Sequence, residues 1–589
     1  MTSTLFALEL TPGVEAWFTP LWLIAIGCMV GLVLITLIWL ASQLLCKIRQ
    51  LNQIMEEPKR ALLIASGFAA LLTAILIPFR TSVASMPSSG AAQETVLTYV
   101  AQLIALYAFC WIIVYSVIVI AWKRTAREFP LIVREGMLMP MFALVATMGT
   151  LGLLGTLVAP DTSGILTSLL KLPGSGVTRF SYIVPAESSS FPGKVDIRIG
   201  DVGGMEIIST GTINASFTEF SELSEQITLD TITDESIYRV SPYEPGILQT
   251  IISKGDAEDT ANSVISEIYF RNLGPDEANV ELFIAYVPQY SQVACIPVTA
   301  FGIVFIFLIY IVQRMAAPRM FAVALSTFKS EVAQPLFVLI VAGGVAALIA
   351  FIWIPYNTFG EDIKMLKDTG LTLILVLSIV LALWSASTSV ADEIEGRTAL
   401  TVLSKPLNRR SFVIGKYAGI VWTLLLVYLI FSIVFMAAVA YKPIYDAKEA
   451  SLGTPDWQTC YLEMIRLAPG LVLAFMEALI FTALSVAIST RLPLLANMTI
   501  CLVIYALGHL TPLVVESSVD GAGFGIIRFF AQLIATVFPN LELFNIQAAI
   551  SAGTDVPFAY LGWAFSYCAV YSIIAMLLAL IMFEDRDLA

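Results

Sequence analysis

A chain of 589 residues that is 58% hydrophobic and only 13% charged is too apolar for a water-soluble protein, which would carry about a quarter charged residues. A net charge of −13 gives no basic surface for nucleic acid. Seven scattered cysteines without a C-x-x-C pair indicate neither a disulfide framework nor a zinc site, and a single histidine speaks against His-based metal chemistry.

Met1 to Pro20 carries no Lys or Arg and no small-residue cleavage site, so no signal peptide is expected. A helix needs about 20 apolar residues to cross a bilayer. Eleven such runs are predicted, near 21–46, 60–79, 98–122, 137–160, 296–313, 332–355, 370–390, 413–441, 467–489, 493–515 and 557–583. The fold class is therefore a polytopic α-helical membrane protein of about 11 transmembrane helices.

Orientation follows from Lys and Arg in short loops. Lys47, Arg49, Lys59 and Arg60 precede the second run; Lys123, Arg124, Arg127 and Arg134 precede the fourth. Arg314, Arg319 and Lys329 follow the fifth; Arg397, Lys405, Arg409 and Arg410 follow the seventh. Every second loop is basic, which predicts an outer N-terminus, a cytoplasmic C-terminus and an outer location for 161–295. Arg80, Lys364, Lys367, Lys442, Lys448 and Arg466 dissent, mostly mixed with acids.

The stretch 161–295 holds 19 Asp and Glu against 7 Lys and Arg. Apolar residues alternate in Lys194-Val-Asp-Ile-Arg-Ile, Ile227-Thr-Leu-Asp-Thr-Ile and Val280-Glu-Leu-Phe-Ile-Ala-Tyr-Val, the period of antiparallel strands. An extracytoplasmic β-rich, sandwich-like domain is expected here, serving as a structural cap or as a contact for cargo or an outer partner.

Between Pro318 and Val332, Phe321, Leu325, Phe328 and Val332 share one helical face, while Arg319, Ser326, Lys329 and Ser330 fall largely opposite. This predicts an amphipathic helix lying in the inner membrane interface. Gly525–Ile546 is apolar but broken by Arg528 and Pro539-Asn540, which suits a re-entrant or interfacial pair of short helices.

The densest charge between two spans lies from Ala391 to Lys416. Ala399, Leu400, Leu403 and Leu407 recur at helical spacing against Arg397, Thr398, Thr401, Ser404 and Lys405. Glu393 and Glu395 stand at the start of this predicted surface helix, where carboxylates complement its dipole. Pro406 ends it. Arg409 and Arg410 mark the membrane boundary, and Ser411 is placed to cap the next span.

This turn reads E-x-E-G-x-T-x-L-x-x-L-x-x-P-x-x-R-R-x-x-x-x-G-K. Carried by Glu393, Glu395, Gly396, Thr398, Leu400, Leu403, Pro406, Arg409, Arg410, Gly415 and Lys416, it resembles the signature of ABC-2 type transporter permeases. Arg397 intervenes where the family pattern has Gly directly before Thr. The resemblance extends over residues 318–589 in layout: an interfacial helix, six spans, a cytoplasmic helix after the second, and an interrupted segment before the last. It implies that 393–410 is a coupling helix on which a separate ATPase subunit docks, with ATP and Mg on that subunit. It further implies a second permease subunit, identical or not, and a bacterial cytoplasmic (inner) membrane. The organisation expected is a four-helix membrane module (1–160), the β-rich domain (161–295), a fifth helix with its linker (296–317) and the six-span permease domain (318–589). The first 317 residues lie outside the resemblance.

No G-x-x-x-x-G-K-[ST] loop occurs, since Gly415-Lys416 is followed by Tyr417. The chain is thus expected to bind no cofactor of its own and not to be an enzyme. The function expected is that of the membrane subunit of an ATP-driven exporter. The alternatives are a motor-coupled mechanical component acting on outer-surface proteins, as in gliding or enzyme-maturation systems, and a polytopic membrane enzyme.

Glu477 lies mid-span, where a charge is costly and often functional. The plainer reading is a hydrogen-bonded Glu near Thr482 or Ser485 of its own helix. His509 reads as a packed polar residue, Gly343-Gly344 as a site of close helix packing, and Trp353, Trp384 and Trp422 as interfacial belt residues.

Overall fold

Apolar segments away from water must satisfy their own backbone amides, and those of this chain do so as helices. The computed structural model describes residues 12–48, 58–82, 96–156, 158–159, 162–172, 176–198, 202–216, 237–240, 246–247, 264–286, 288–354, 361–391, 393, 408–520, 533, 538–554 and 556–584. Before the strands come α1 (Pro12–Leu45), α2 (Pro58–Ser82), α3 (Val96–Ile120), α4 (Lys123–Glu135), α5 (Leu138–Gly155) and α6 (Thr162–Lys171). After them come α7 (Cys295–Ala316), α8 (Pro318–Val332), α9 (Pro335–Ala350), α10 (Asp362–Ala386), α11 (Arg409–Glu449), α12 (Trp457–Ile465), α13 (Ala468–Ser489), α14 (Leu494–Asp520), α15 (Gln547–Ser551) and α16 (Phe558–Glu584).

Among the described residues, eight helices are long and apolar enough to cross a membrane. The protein is an integral membrane protein. The other three of the eleven expected runs behave differently. Arg60–Leu76 and Leu494–Leu510 are apolar but shorter, and the run at 98–122 continues from α3 into α4 through a 90° bend.

The chain divides into two compact units. The first comprises Met1–Thr73, Thr95–Pro160 and Ile296–Ala589, so the early and late helices pack together. Small residues allow this close approach. On α5, a Cβ on Gly152 would stand 3.0 Å from Ala25 of α1, and the Gly152 carbonyl accepts from Trp22 Nε1 at 3.0 Å. Trp17 of α1 likewise donates to the Ala437 carbonyl of α11 at 2.9 Å. A Cβ on Gly344 would stand 2.5 Å from the Phe431 ring, whereas Gly343 faces open space; only one of the pair is a packing glycine.

The second unit comprises Ala74–Glu94 and Asp161–Cys295. Its strands β1 (Gly176–Val184), β2 (Phe191–Arg198), β3 (Val202–Ser209), β4 (Ile213–Ser216), β5 (Ile237–Val240), β6 (Gly246–Ile247), β7 (Val264–Asn272) and β8 (Ala278–Tyr286) form two antiparallel four-stranded sheets. Their orders are β1-β8-β3-β6 and β2-β7-β4-β5. The alternation at 194–198 and 280–286 falls on β2 and β8, whose inward residues Val195, Val280, Leu282 and Ile284 are buried. The stretch at 227–232 lies outside the described residues.

Two sequence expectations change in detail. Asn408, not Ser411, precedes the first residue of α11, and it makes no side-chain cap; Ser411 lies inside the helix. Trp422 is buried rather than belted, its Nε1 donating to Gln313 Oε1 of α7 at 2.8 Å. Trp384 donates to Gln334 Oε1 at 2.9 Å. An indole in a helix contact must find an acceptor there, and a neighbouring glutamine provides one.

Candidate functional site

Two constellations draw on the residues that the sequence singled out. The first surrounds the base of the turn between α10 and α11. The turn's central residues, Glu395 to Leu407, lie outside the described residues, and with them Gly396, Thr398, Leu400, Leu403 and Pro406. Its two ends are described. α10 passes into a π-helical turn, Ser387–Ala391, an arrangement frequent at functional sites. Glu393 follows, and its Oε1 meets Lys416 Nζ of α11 at 2.5 Å. Lys416 is nearly inaccessible, with a side chain only 5% exposed, and its ammonium also lies 5.5 Å from the Phe412 ring. Arg409 donates to the carbonyl of Glu584 at 2.8 Å, and Phe412 stacks on Phe583, so the start of α11 is tied to the end of α16. Arg410 is exposed.

Helix α8 completes this first constellation. Phe321 and Phe328 are buried, Leu325 is half-buried, and Arg319 and Lys329 are exposed, as a two-faced helix requires. The apolar face, however, packs along α11 rather than resting on lipid. Gly415 and Gly419 of α11 allow this: a Cβ on Gly415 would lie 2.7 Å from Val323 Cβ, and one on Gly419 would lie 2.7 Å from the Ala324 carbonyl oxygen. Gly415, named by the motif, is thus the crossing point of the two helices.

The buried face of α8 also carries Glu331, a residue that the apolar-face reading passed over. Thr388 Oγ1 of the π turn donates to Glu331 Oε1 at 3.5 Å. Burial pushes the Glu331 carboxyl up to about 7, against the opposing pull of Ser385, Lys416 and Thr388; the Glu393 charge adds to the rise. Glu331, Glu393 and Lys416 therefore form one polar cluster where α8, the π turn and α11 meet. The signal available in the sequence was an acid at the i+3 position from Phe328 on the apolar side. Nearby, buried Asn497 of α14 donates to Ser387 Oγ at 2.8 Å and to Ser485 Oγ of α13 at 2.7 Å, linking the π turn to two further helices.

At the far ends of α10 and α11, the dissenting cations find acids. Lys442, 1% exposed, pairs with Asp446 at 2.8 Å and with Asp362, at the start of α10, at 3.8 Å. Lys367 pairs with Glu463, Lys364 with Glu361, and Arg466 with Glu463. The α10–α11 hairpin is thus clasped by ion pairs at both ends.

The second constellation is a cavity of about 230 Å³ between α10, α13, α14 and the segment ahead of α16. Glu477 and His509 both line it. Glu477 is 2% exposed, and its Oε1 stands 3.8 Å from His509 Nε2. Thr482 and Ser485 do not serve it. Thr482 donates to the Ala478 carbonyl, and Ser485 accepts from Asn497. Tyr505 and Phe544 supply aromatic walls, with Asn545 exposed and Gln547 half-buried beside them.

Among the described residues, no group of three or more His, Cys, Asp or Glu is placed to hold a metal ion. No family model matches this chain, and no curated protein sequence matches it.

Proposed function

We propose that this chain is the membrane subunit of an ATP-driven ABC-2 type transporter, an exporter whose energy comes from a separate ATPase subunit docked on the turn at 393–410. The observation that carries this reading is the way the turn's two ends are held. Glu393 and Lys416 join the end of the π turn to the first turns of α11, and Thr388 joins the π turn to Glu331 of α8. A push on the turn would then reach α8, α10 and α11 as one body, which is what a coupling element needs. Interfaces and packed cores switch between discrete arrangements instead of bending continuously, so a rigidly clasped hairpin transmits motion well.

In this reading the turn is cytoplasmic and the β-rich unit lies on the outer side of a bacterial inner membrane, as the positive-inside pattern expects. ATP and Mg are bound by the partner, since the chain has no phosphate loop. A second permease subunit completes the path. The β sheets, facing outward, contact cargo or an outer partner.

The test is co-purification. Deleting 396–406 should abolish recovery of an ATPase with the full-length chain from its native membranes, while the deletion protein still inserts. Recovery of the ATPase at undiminished yield would refute the assignment. Substrate-stimulated ATP hydrolysis in liposomes then separates transport from a purely mechanical role.

A further inference from the structure

The cavity between α10, α13 and α14 holds a buried carboxyl group with an unmet hydrogen-bonding oxygen. Glu477 Oε1 is buried and accepts no hydrogen bond. Across the gap, His509 Nδ1 lies 3.1 Å from the Tyr505 carbonyl oxygen. A carbonyl only accepts, so Nδ1 is the ring's donor, and in the neutral imidazole Nε2 is left as an acceptor. With the imidazole neutral and the carboxyl ionised, two acceptors, Glu477 Oε1 and His509 Nε2, face each other at 3.8 Å, beyond hydrogen-bond distance. Neither satisfies the other. A donor bearing two N–H groups and a positive charge would satisfy both.

The surroundings select the same chemistry. No Lys or Arg is among the described residues lining the cavity. Glu542 lies within electrostatic reach of Glu477, so the local field is negative and disfavours anions. The ring of Tyr505, with its centroid 4.5 Å from that of His509, offers a π face to a cation, and Phe544 offers a second aromatic wall. Leu375 and Ala474 supply apolar contact. The volume, about 230 Å³, is below the range of about 300–1,000 Å³ typical of drug-sized ligands.

We infer that the cavity binds a small organic cation, a protonated primary amine on a compact apolar body, with its ammonium between Glu477 and His509. The site stands on its own geometry and not on the transport reading.

The test uses the full-length chain in lipid nanodiscs, without any ATPase, and follows its thermal unfolding. Three probes of one shape are compared: benzylammonium, benzyl alcohol and benzoate. Benzylammonium should raise the unfolding temperature in a saturable, concentration-dependent way, and the neutral and anionic probes should not. Glu477→Gln keeps the side-chain shape and should weaken the benzylammonium response at least tenfold. Ala474→Phe keeps both acceptors but fills the space, and should do the same.

Equal stabilisation by benzyl alcohol would overturn the proposal, as would an undiminished response in Glu477→Gln. So would a response retained in a folded Ala474→Phe protein, since the amine would then bind elsewhere. If Ala474→Phe does not fold, the near-isosteric Glu477→Gln decides alone. Stronger stabilisation by zinc chloride than by benzylammonium, lost in Glu477→Gln, would reassign the site to a metal. Because no ATPase is present, failure of the amine site leaves the coupling proposal untouched, and loss of ATPase docking leaves the amine site untouched.

Discussion

Lys416 Nζ and Glu393 Oε1 lie 2.5 Å apart, joining α11 to the stretch just past the π turn across more than twenty positions in sequence. The lysine is nearly fully buried, and the glutamate is about one-third exposed. Such a pair gains little over an apolar pair of the same shape, but breaking it leaves a charge stranded.

The Lys416–Glu393 pair is therefore expected to behave asymmetrically. Glu393→Gln alone, which strands the buried Lys416 ammonium, should destabilise the protein by about 3–5 kcal/mol, the usual cost of an uncompensated buried partner. Lys416→Met with Glu393→Gln should recover much of that loss. Thermal unfolding of the two single variants and the double variant gives the coupling directly; additive losses would mean that the pair does not interact.

Glu331 should make stability depend on pH in a defined direction. Its carboxyl titrates near 4.5 when exposed and near 7 in the folded protein, chiefly through burial. The protonated form is the one the fold favours. The contribution is fully present below about pH 4.5 and is lost as pH rises through about 7, amounting to roughly 3 kcal/mol. Glu331→Gln should thus raise the unfolding temperature at pH 8 relative to wild type and change little at pH 5. A wild-type-minus-variant difference that does not vary with pH would contradict this assignment.

Gly415 and Gly343 make a matched pair. A Cβ on Gly415 meets Val323 at 2.7 Å and the Met320 carbonyl oxygen at 2.8 Å, both on α8. Gly415→Ala should cost about 1–3 kcal/mol by overpacking. Gly343 has nothing within 4 Å, so Gly343→Ala should be neutral or stabilise by up to about 1 kcal/mol through helix propensity. Melting temperatures of both variants in one detergent check the contrast.

Asn497 should prove sensitive although it touches no charge. Asn497→Ala removes the donor shared by Ser387 and Ser485 and leaves a small void at a fully buried site. A loss of about 1–3 kcal/mol is expected. If the hydrogen bonds hold the π turn in place, Asn497→Ala should also increase protease cleavage in the adjoining turn, read by limited proteolysis.

The sequence by itself determined that the chain is a membrane protein, where most of its helices run, and where strands replace them. These follow from one-dimensional quantities: run length, and periods of two or 3.6. The α8 pattern of Phe321, Leu325 and Phe328 gave the helix and its buried side from spacing alone. Spacing could not say what that side rests on. An apolar stripe suits lipid and protein equally, and only the close approach at Gly415 and Gly419 decided for α11.

The polar residues divide in the same way. Lys364, Lys367, Lys442 and Arg466 broke the charge pattern when read along the chain, yet each meets an acid in space. Lys367 and Glu463 are 96 positions apart, a separation that no local pattern encodes. Glu331 was hidden because an acid on an apolar face looks like an error of phase until Thr388 and Lys416 appear beside it. Glu477 and His509 were each visible as unusual residues in apolar runs. That they face one cavity as two opposed acceptors depends on how α13 and α14 pack, and charge pairing across helices is fixed by packing and not by order along the chain.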